Sequence, residues 1–155
     1  CAKEIYDTTK DLDFIMCPVG GGGLASGTVL STKLFSSKTK VVLAEPLNAS
    51  DAYESFVKKT LIPVQSPNTI ADGLKTSLSE RTFNIILKGA SKIITVTEEE
   101  IISAMRLIWE RLKIVCEPSC SVPLAALLKE PKEFKNKKVV IILTGGNVDV
   151  QKLPF

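Results

Sequence analysis

The stretch Phe14-Ile15-Met16-Cys17-Pro18-Val19-Gly20-Gly21-Gly22-Gly23-Leu24-Ala25-Ser26-Gly27-Thr28-Val29-Leu30 decides the fold. Its first six residues form an apolar run without alternation, which predicts a strand covered on both faces. The segment from Leu24 reads as a helix. Four residues lacking a Cβ at a strand-to-helix junction let successive backbone N–H groups converge on one point, where the free amides and dipole of the helix N-terminus also favour an anion. An ordinary tight turn needs one or two glycines. Gly20, Gly21, Gly22 and Gly23 are therefore a candidate phosphate cradle.

Working outward, short β-branched-rich runs at 40–44, 92–96 and 138–143 predict three further buried strands, with helical patterns between them. Strand, helix and strand from 13 to 44 make a βαβ unit, so the first two strands should be parallel neighbours. The expected fold class is α/β, an open, mostly parallel sheet with helices on both faces. The clearest helix starts at Thr97, which with Glu100 fits a capping box, and places Ile101, Ala104, Met105, Ile108, Trp109 and Leu112 on one face. Residues 59–79 are too long for an ordinary connection and predict an ordered excursion over the sheet surface. The tail beyond Thr144 is expected to fade after Lys152.

The chain has 155 residues, 45% hydrophobic and 24% charged, the composition of one α/β segment able to bury a core. Its 20 basic and 17 acidic residues are scattered without a basic stripe, which argues against nucleic acid as a partner. No segment reaches membrane-spanning length, and no secretion signal opens the chain. Cys1, Cys17, Cys116 and Cys120 are too few and irregular for a disulfide framework, which points to a reduced, cytoplasmic setting. Cys116-x-x-x-Cys120, without histidine or a second pair, reads as two buried thiols rather than a metal site. The abrupt start at Cys1 suggests a segment of a longer protein.

A Walker loop would close on Gly-Lys-Ser/Thr, but Gly23 is followed by Leu24-Ala25-Ser26. A dinucleotide site is the main alternative: Gly20, Gly22 and Ala25 fit G-x-G-x-x-A, and Glu45 ends the next strand run where a ribose-binding acid would stand. Against it stands a second glycine turn, Thr144-Gly145-Gly146-Asn147, after the last strand run. Two glycine turns opening on one carboxyl edge suit a small phosphorylated cofactor between them.

Further segments make the likeness specific. Pro18-Val19 with the four glycines, Ala44-Glu45-Pro46-x-Asn48-Ala49, Thr69-Ile70-Ala71-Asp72-Gly73, Trp109-Glu110-Arg111, Glu117-Pro118 and Gly145-Gly146-Asn147-Val148-Asp149 occur in a shared order. Over roughly Leu12 to Val150 the chain resembles fold-type II pyridoxal-phosphate (PLP) enzymes, above all serine racemases and serine/threonine dehydratases.

That resemblance implies an incomplete large domain, and roles for named residues. Gly20 to Gly23, with the Leu24 amide, would hold the phosphate of pyridoxal 5'-phosphate, Gly73 would lie beside the ring, and Glu117 would stand near it. Thr144, where the family usually has serine, would offer its hydroxyl to the ring nitrogen. A hydroxyl there leaves that nitrogen largely unprotonated and weakens the ring as an electron sink. Glu45, the Ala49 carbonyl and Asp51 match a divalent-cation site, an all-oxygen set suited to Mg²⁺, Mn²⁺ or Ca²⁺. Asp13 matches a residue supporting that cation from its outer shell, and is alternatively a simple strand-start acid. Lys113 and Asn147 match positions that contact a nucleotide effector.

The resemblance also implies a small amino-acid substrate, serine or threonine, α-proton abstraction with racemisation or β-elimination of water, and a homodimer for the intact enzyme. The family's Schiff-base lysine, in Ser-x-Lys-x-Arg-Gly, has no counterpart here. Ser31-Thr32-Lys33 is followed by Leu34-Phe35 and lies within the helix after the glycines. A lysine amine is required for the chemistry, so these residues alone are expected to be inactive and to need an N-terminal part. A non-catalytic ligand-binding fragment is the remaining alternative.

Overall fold

The computed structural model describes residues Cys1–Phe155. Helix α1 (Ala2–Thr8) precedes strand β1 (Phe14–Pro18), the glycine loop and helix α2 (Gly23–Phe35). Strand β2 (Lys40–Pro46) and helix α3 (Asp51–Lys58) follow, then a long segment whose only regular element is a 3₁₀ turn at Asp72–Leu74. Helix α4 (Glu80–Gly89), strand β3 (Lys92–Val96), helices α5 (Glu98–Leu107), α6 (Pro118–Lys129) and α7 (Pro131–Phe134), and strand β4 (Val139–Ile141) complete the chain. All four predicted strands form, in the order β3-β2-β1-β4, with every pairing parallel.

Side chains alternate across the sheet, as the pleat requires. Ile15 and Cys17 of β1 join Val41, Leu43 and Ile93 against Val29 of α2, Ala52 of α3, and Phe83 and Ile86 of α4. Phe14, Met16, Val42, Ala44 and Ile94 face the other way, against Ile101 and Ala104 of α5 and Val122 and Ala126 of α6. Both faces are thus covered, which is why the strand runs read as continuously apolar. β4, at one edge, remains half-buried.

The capping box at Thr97 forms as expected: the Glu100 amide donates to the Thr97 hydroxyl and the Thr97 amide to the Glu100 carboxylate. The predicted helix face fails at its end. A π-helical turn over Ile108–Leu112 replaces the last α-turn. The wider turn rotates the following residues off the buried stripe, so Ile108 is buried and Leu112 is 57% exposed. The tail does not fade either. Val148 and Leu153 pack on the cluster of Met105, Ile108, Cys116 and Cys120, and Phe155 meets Trp109 edge-on at 6.0 Å. The long segment 59–79 is tied down by buried Ala71, Leu74 and Leu78. No helix is long and apolar enough to cross a membrane.

Candidate cofactor site

Parallel strands place the loops that follow them on one sheet edge, and there a cleft of about 290 Å³ opens. It is lined by Gly20–Gly23, Leu24, Gly73, Glu117 and Thr144, with Pro18, Ala25, Leu74 and Ser119. Every residue that the resemblance assigned to the cofactor therefore reaches one cavity. Both glycine turns open into it, although they lie far apart in sequence.

The amide accounting around the first turn is the most informative feature. No amide from Gly20 to Ala25 donates to a backbone carbonyl; the first to do so is Ser26, which bonds Gly22 O at 2.8 Å. Orphan donors at the start of a 13-residue helix are a ready anion site. Gly22 is the N-cap of α2 with φ +82°, and a Cβ on it would lie 2.7 Å from Leu78 Cδ2 and 2.8 Å from Thr82 Cβ. Only glycine meets both demands.

Around the rest of the cleft, α6 supplies two groups from its N-terminus. Pro118 opens the helix with Glu117 as its N-cap. The Glu117 carboxylate accepts the Asn147 amide at 3.0 Å, and the Glu117 amide donates to Gly145 O at 3.1 Å, so α6 and the second glycine turn are stitched together. Ser119, which the sequence reading missed, is buried and accepts the Gly73 amide on its Oγ at 3.1 Å. Its place directly after Glu117-Pro118 was the available signal. Lys113, in left-handed backbone at φ 58°, and Asn147 are both exposed, on segments joined by the Glu117–Gly145 and Glu117–Asn147 bonds.

Glu45 and Asp51 lie outside this cleft. Glu45 is fully buried at the end of β2, where Oε1 accepts the Ala52 amide at 2.9 Å and Oε2 the Tyr53 amide at 2.8 Å. Burial pushes its carboxyl up to about 8, against the pull of the Tyr53 and Ala52 amides, with Asp51 and Glu54 adding repulsion. This removes the dinucleotide alternative, because a ribose-binding acid must reach the glycine-loop cleft. Asp51 is 5% exposed and neither of its oxygens has a hydrogen-bond partner. Burial raises its carboxyl too. A second cavity runs past Ala49, Asp51 and Glu54. Two buried acids with no counter-cation, one of them without hydrogen bonds, fit an oxygen-liganded divalent ion.

Asp13 does not belong with them. It precedes the first residue of β1, in register with the start of β2, whereas Glu45 lies near the opposite end of β2. The separation is roughly 16 Å at about 3.3 Å per residue. Asp13 instead accepts the Lys138 amide at 2.8 Å and pins β4 to β1, as a strand-start acid. Lys33 lies within α2, as expected of a lysine unrelated to the cleft. Cys17, Cys116 and Cys120 are buried free thiols. Burial pushes the Cys17 thiol up to about 12.

Comparison with known proteins settles the family. The family model described as pyridoxal-phosphate dependent enzyme matches residues 1–145. The chain belongs to this PLP-dependent family. A β-hydroxyaspartate dehydratase from Paracoccus denitrificans is 46% identical over 155 residues, covering 100% of this chain and 49% of that protein. The serine racemase of Dictyostelium discoideum is 47% identical over 156 residues, covering 97% of this chain and 48% of the racemase. Its crystal structure superposes with a TM-score of 0.88 over 96% of this chain and 48% of that one, at 46% identity. The maize serine racemase structure gives a TM-score of 0.92 at 33% identity, over 97% of this chain and 47% of that one. A bacterial-type threonine deaminase structure is similar as well, with a TM-score of 0.86 at 38% identity. This PLP-family chain thus spans about half the length of the relatives it matches.

Proposed function

We propose that this chain is the cofactor-binding part of a PLP-dependent enzyme acting on a small hydroxy-amino acid, by racemisation at Cα or by β-elimination of water to a 2-oxo acid and ammonia. The observation that carries the reading is the run of orphan amides from Gly20 to Ala25 facing the same cleft as Thr144. When bound, PLP supplies an electron sink that acidifies the substrate's Cα–H.

The chain's own residues bind and orient. Gly20–Gly23 and Leu24 offer main-chain donors to the phosphate. Gly73, held by Ser119, forms the wall beside the ring. Thr144 presents a neutral hydroxyl to the ring nitrogen, which keeps that nitrogen largely unprotonated and favours prompt loss of a β-substituent or reprotonation. Glu117, pinned by the Asn147 amide, keeps the second glycine turn in place. Proton transfer at Cα requires a lysine amine from outside these residues.

Glu45, Ala49 O and Asp51 are assigned to a divalent cation, Mg²⁺, Mn²⁺ or Ca²⁺, on the support of the unpartnered Asp51 carboxylate. Lys113 and Asn147 are assigned to a nucleotide effector, and the intact enzyme is assigned as a cytoplasmic homodimer. The buried free thiols suit that compartment. Exposed Val115 and Leu143 and the half-buried edge strand β4 support an N-terminal part packing on this chain. The test is incubation of the complete protein with PLP and L-serine, L-threonine or 3-hydroxyaspartate, reading 2-oxo acid, ammonia and the D-isomer. A protein that binds NAD and leaves PLP unbound would refute the proposal.

A further inference from the structure

The orphan amides of the glycine loop are useful only if the loop is held with its N–H groups inward. Glycine has no side chain with which to hold itself, and a run of four is the most mobile segment a chain can present. Something outside the loop must therefore orient it.

The contacts around Gly21 and Gly22 identify that element. The Gly21 carbonyl accepts no backbone hydrogen bond. Its partner is the hydroxyl of Thr82, 61 positions away on α4, at 3.1 Å. In a trans peptide the C=O and the following N–H point in opposite directions, and the chain has no cis bonds. Thr82 is absent from the cleft lining. Tying Gly21 O to Thr82 therefore turns the Gly22 N–H away from α4, toward the cleft. The hydroxyl has one proton to give. Its other close acceptors are Ser79 O at 3.1 Å, already bonded by the Phe83 amide, and Ser79 Oγ, also at 3.1 Å. The Ser79 amide donates into Thr82 Oγ1 at 3.0 Å, filling one of its lone pairs and leaving the proton for Gly21. Two further contacts reinforce the docking. Ser26 Oγ of α2 reaches Thr82 O at 3.4 Å, and the open side of Gly22 Cα lies against Thr82 Cβ and Oγ1.

We infer that Thr82 is the positioning residue of the phosphate cradle: its hydroxyl fixes the Gly21–Gly22 peptide so that the Gly22 amide faces the ligand's phosphate. The inference rests on the reading that this loop takes the phosphate of PLP. It also gives one hydroxyl two tasks, since the same atom completes the capping box of α4.

The experiment uses the complete protein, stripped of cofactor and titrated with PLP and with pyridoxal, which lacks the phosphate. Thr82→Val is expected to weaken PLP by about tenfold, the equivalent of one charge-assisted hydrogen bond misaimed. Pyridoxal affinity should stay unchanged, and Thr82→Ser should restore PLP to within about twofold of the native value. Ser79→Ala, which removes the cap acceptor and spares the Gly21 bond, should leave PLP affinity intact. Thr82→Ala serves in place of Thr82→Val if the latter does not fold. PLP affinity unchanged in the Thr82 variants, equal losses for PLP and pyridoxal, or an equal PLP loss in Ser79→Ala would each overturn the inference. A native protein that binds pyridoxal as tightly as PLP would refute the phosphate reading itself, and the inference with it.

Discussion

Replacing Gly22 with alanine should damage the protein out of proportion to one methyl group, and the structure permits the size to be worked out. The residue sits at φ +82°, where an L-residue pays about 1–2 kcal/mol relative to its normal region. The new Cβ would lie 2.7 Å from Leu78 Cδ2 and 2.8 Å from Thr82 Cβ, distances that force packed atoms apart at about 1–3 kcal/mol. Reduced freedom of the unfolded chain returns about 0.4–1 kcal/mol. The net loss is about 2–4 kcal/mol, or on the order of 10 °C in Tm for a domain of this size. Gly27 supplies the internal control. It lies in α2 five residues on, exposed, with nothing within 4 Å of its would-be Cβ. There the same substitution should stabilise by about 0.5–1 kcal/mol, because alanine is the better helix former. Thermal and urea melts of the complete protein with each change give the answer. A Gly22→Ala protein as stable as the native one, or a Gly27→Ala protein equally damaged, would refute the assignment of strain to the loop rather than to α2 as a whole.

Millimolar Ca²⁺ or Mg²⁺ should raise Tm by binding at Glu45, Ala49 and Asp51, with about 2.7 kcal/mol of stabilisation at a hundredfold excess over Kd. In Asp51→Asn that increment should vanish while the metal-free protein gains stability, since a buried carboxylate without partners is removed; an undiminished metal effect would refute the site. Ser119→Ala should weaken PLP by about fivefold through loss of the Gly73 anchor, about 1 kcal/mol, as read by equilibrium titration. Changing Thr144 to Asp should protonate the ring nitrogen and shift both the cofactor spectrum and the balance of racemisation to elimination; identical spectra and rates would refute its assignment. Thiol titration of this segment should show Cys1 reacting in the native state and Cys17, Cys116 and Cys120 only on unfolding, because the last three are buried.

How much was legible in the sequence depended on how far apart the interacting residues lie. The strands at 14–18, 40–46 and 92–96 were readable because each is buried on both faces and so written as a continuous apolar run. The glycine cradle was readable because its chemistry is contiguous. The path of the chain after Ile108 was not, because a π turn differs from an α turn by one residue of slippage and leaves no compositional mark. Asp13 and Glu45 were grouped through a resemblance that carries no distances, and parallel register separates them.

Thr82 shows the limit most clearly. By sequence it is a helix-start residue that completes a capping box with Ser79, and nothing local distinguishes it from Glu100, which plays the same part for Thr97. What separates them is where the rest of the chain delivers an acceptor. The Gly21 carbonyl arrives at the Thr82 hydroxyl, whereas Glu100 meets Lys129 at 3.4 Å on the far face of the sheet. Ligand-facing chemistry in this fold is therefore divided. Residues that touch the phosphate need only backbone donors and announce themselves by lacking side chains. The residue that aims those donors needs a side chain on a different helix, and only the packing of α2 against α4 through Ser26 and Thr82 brings it there. A variant that loosens that packing without touching the loop should consequently lose phosphate selectivity before it loses the fold.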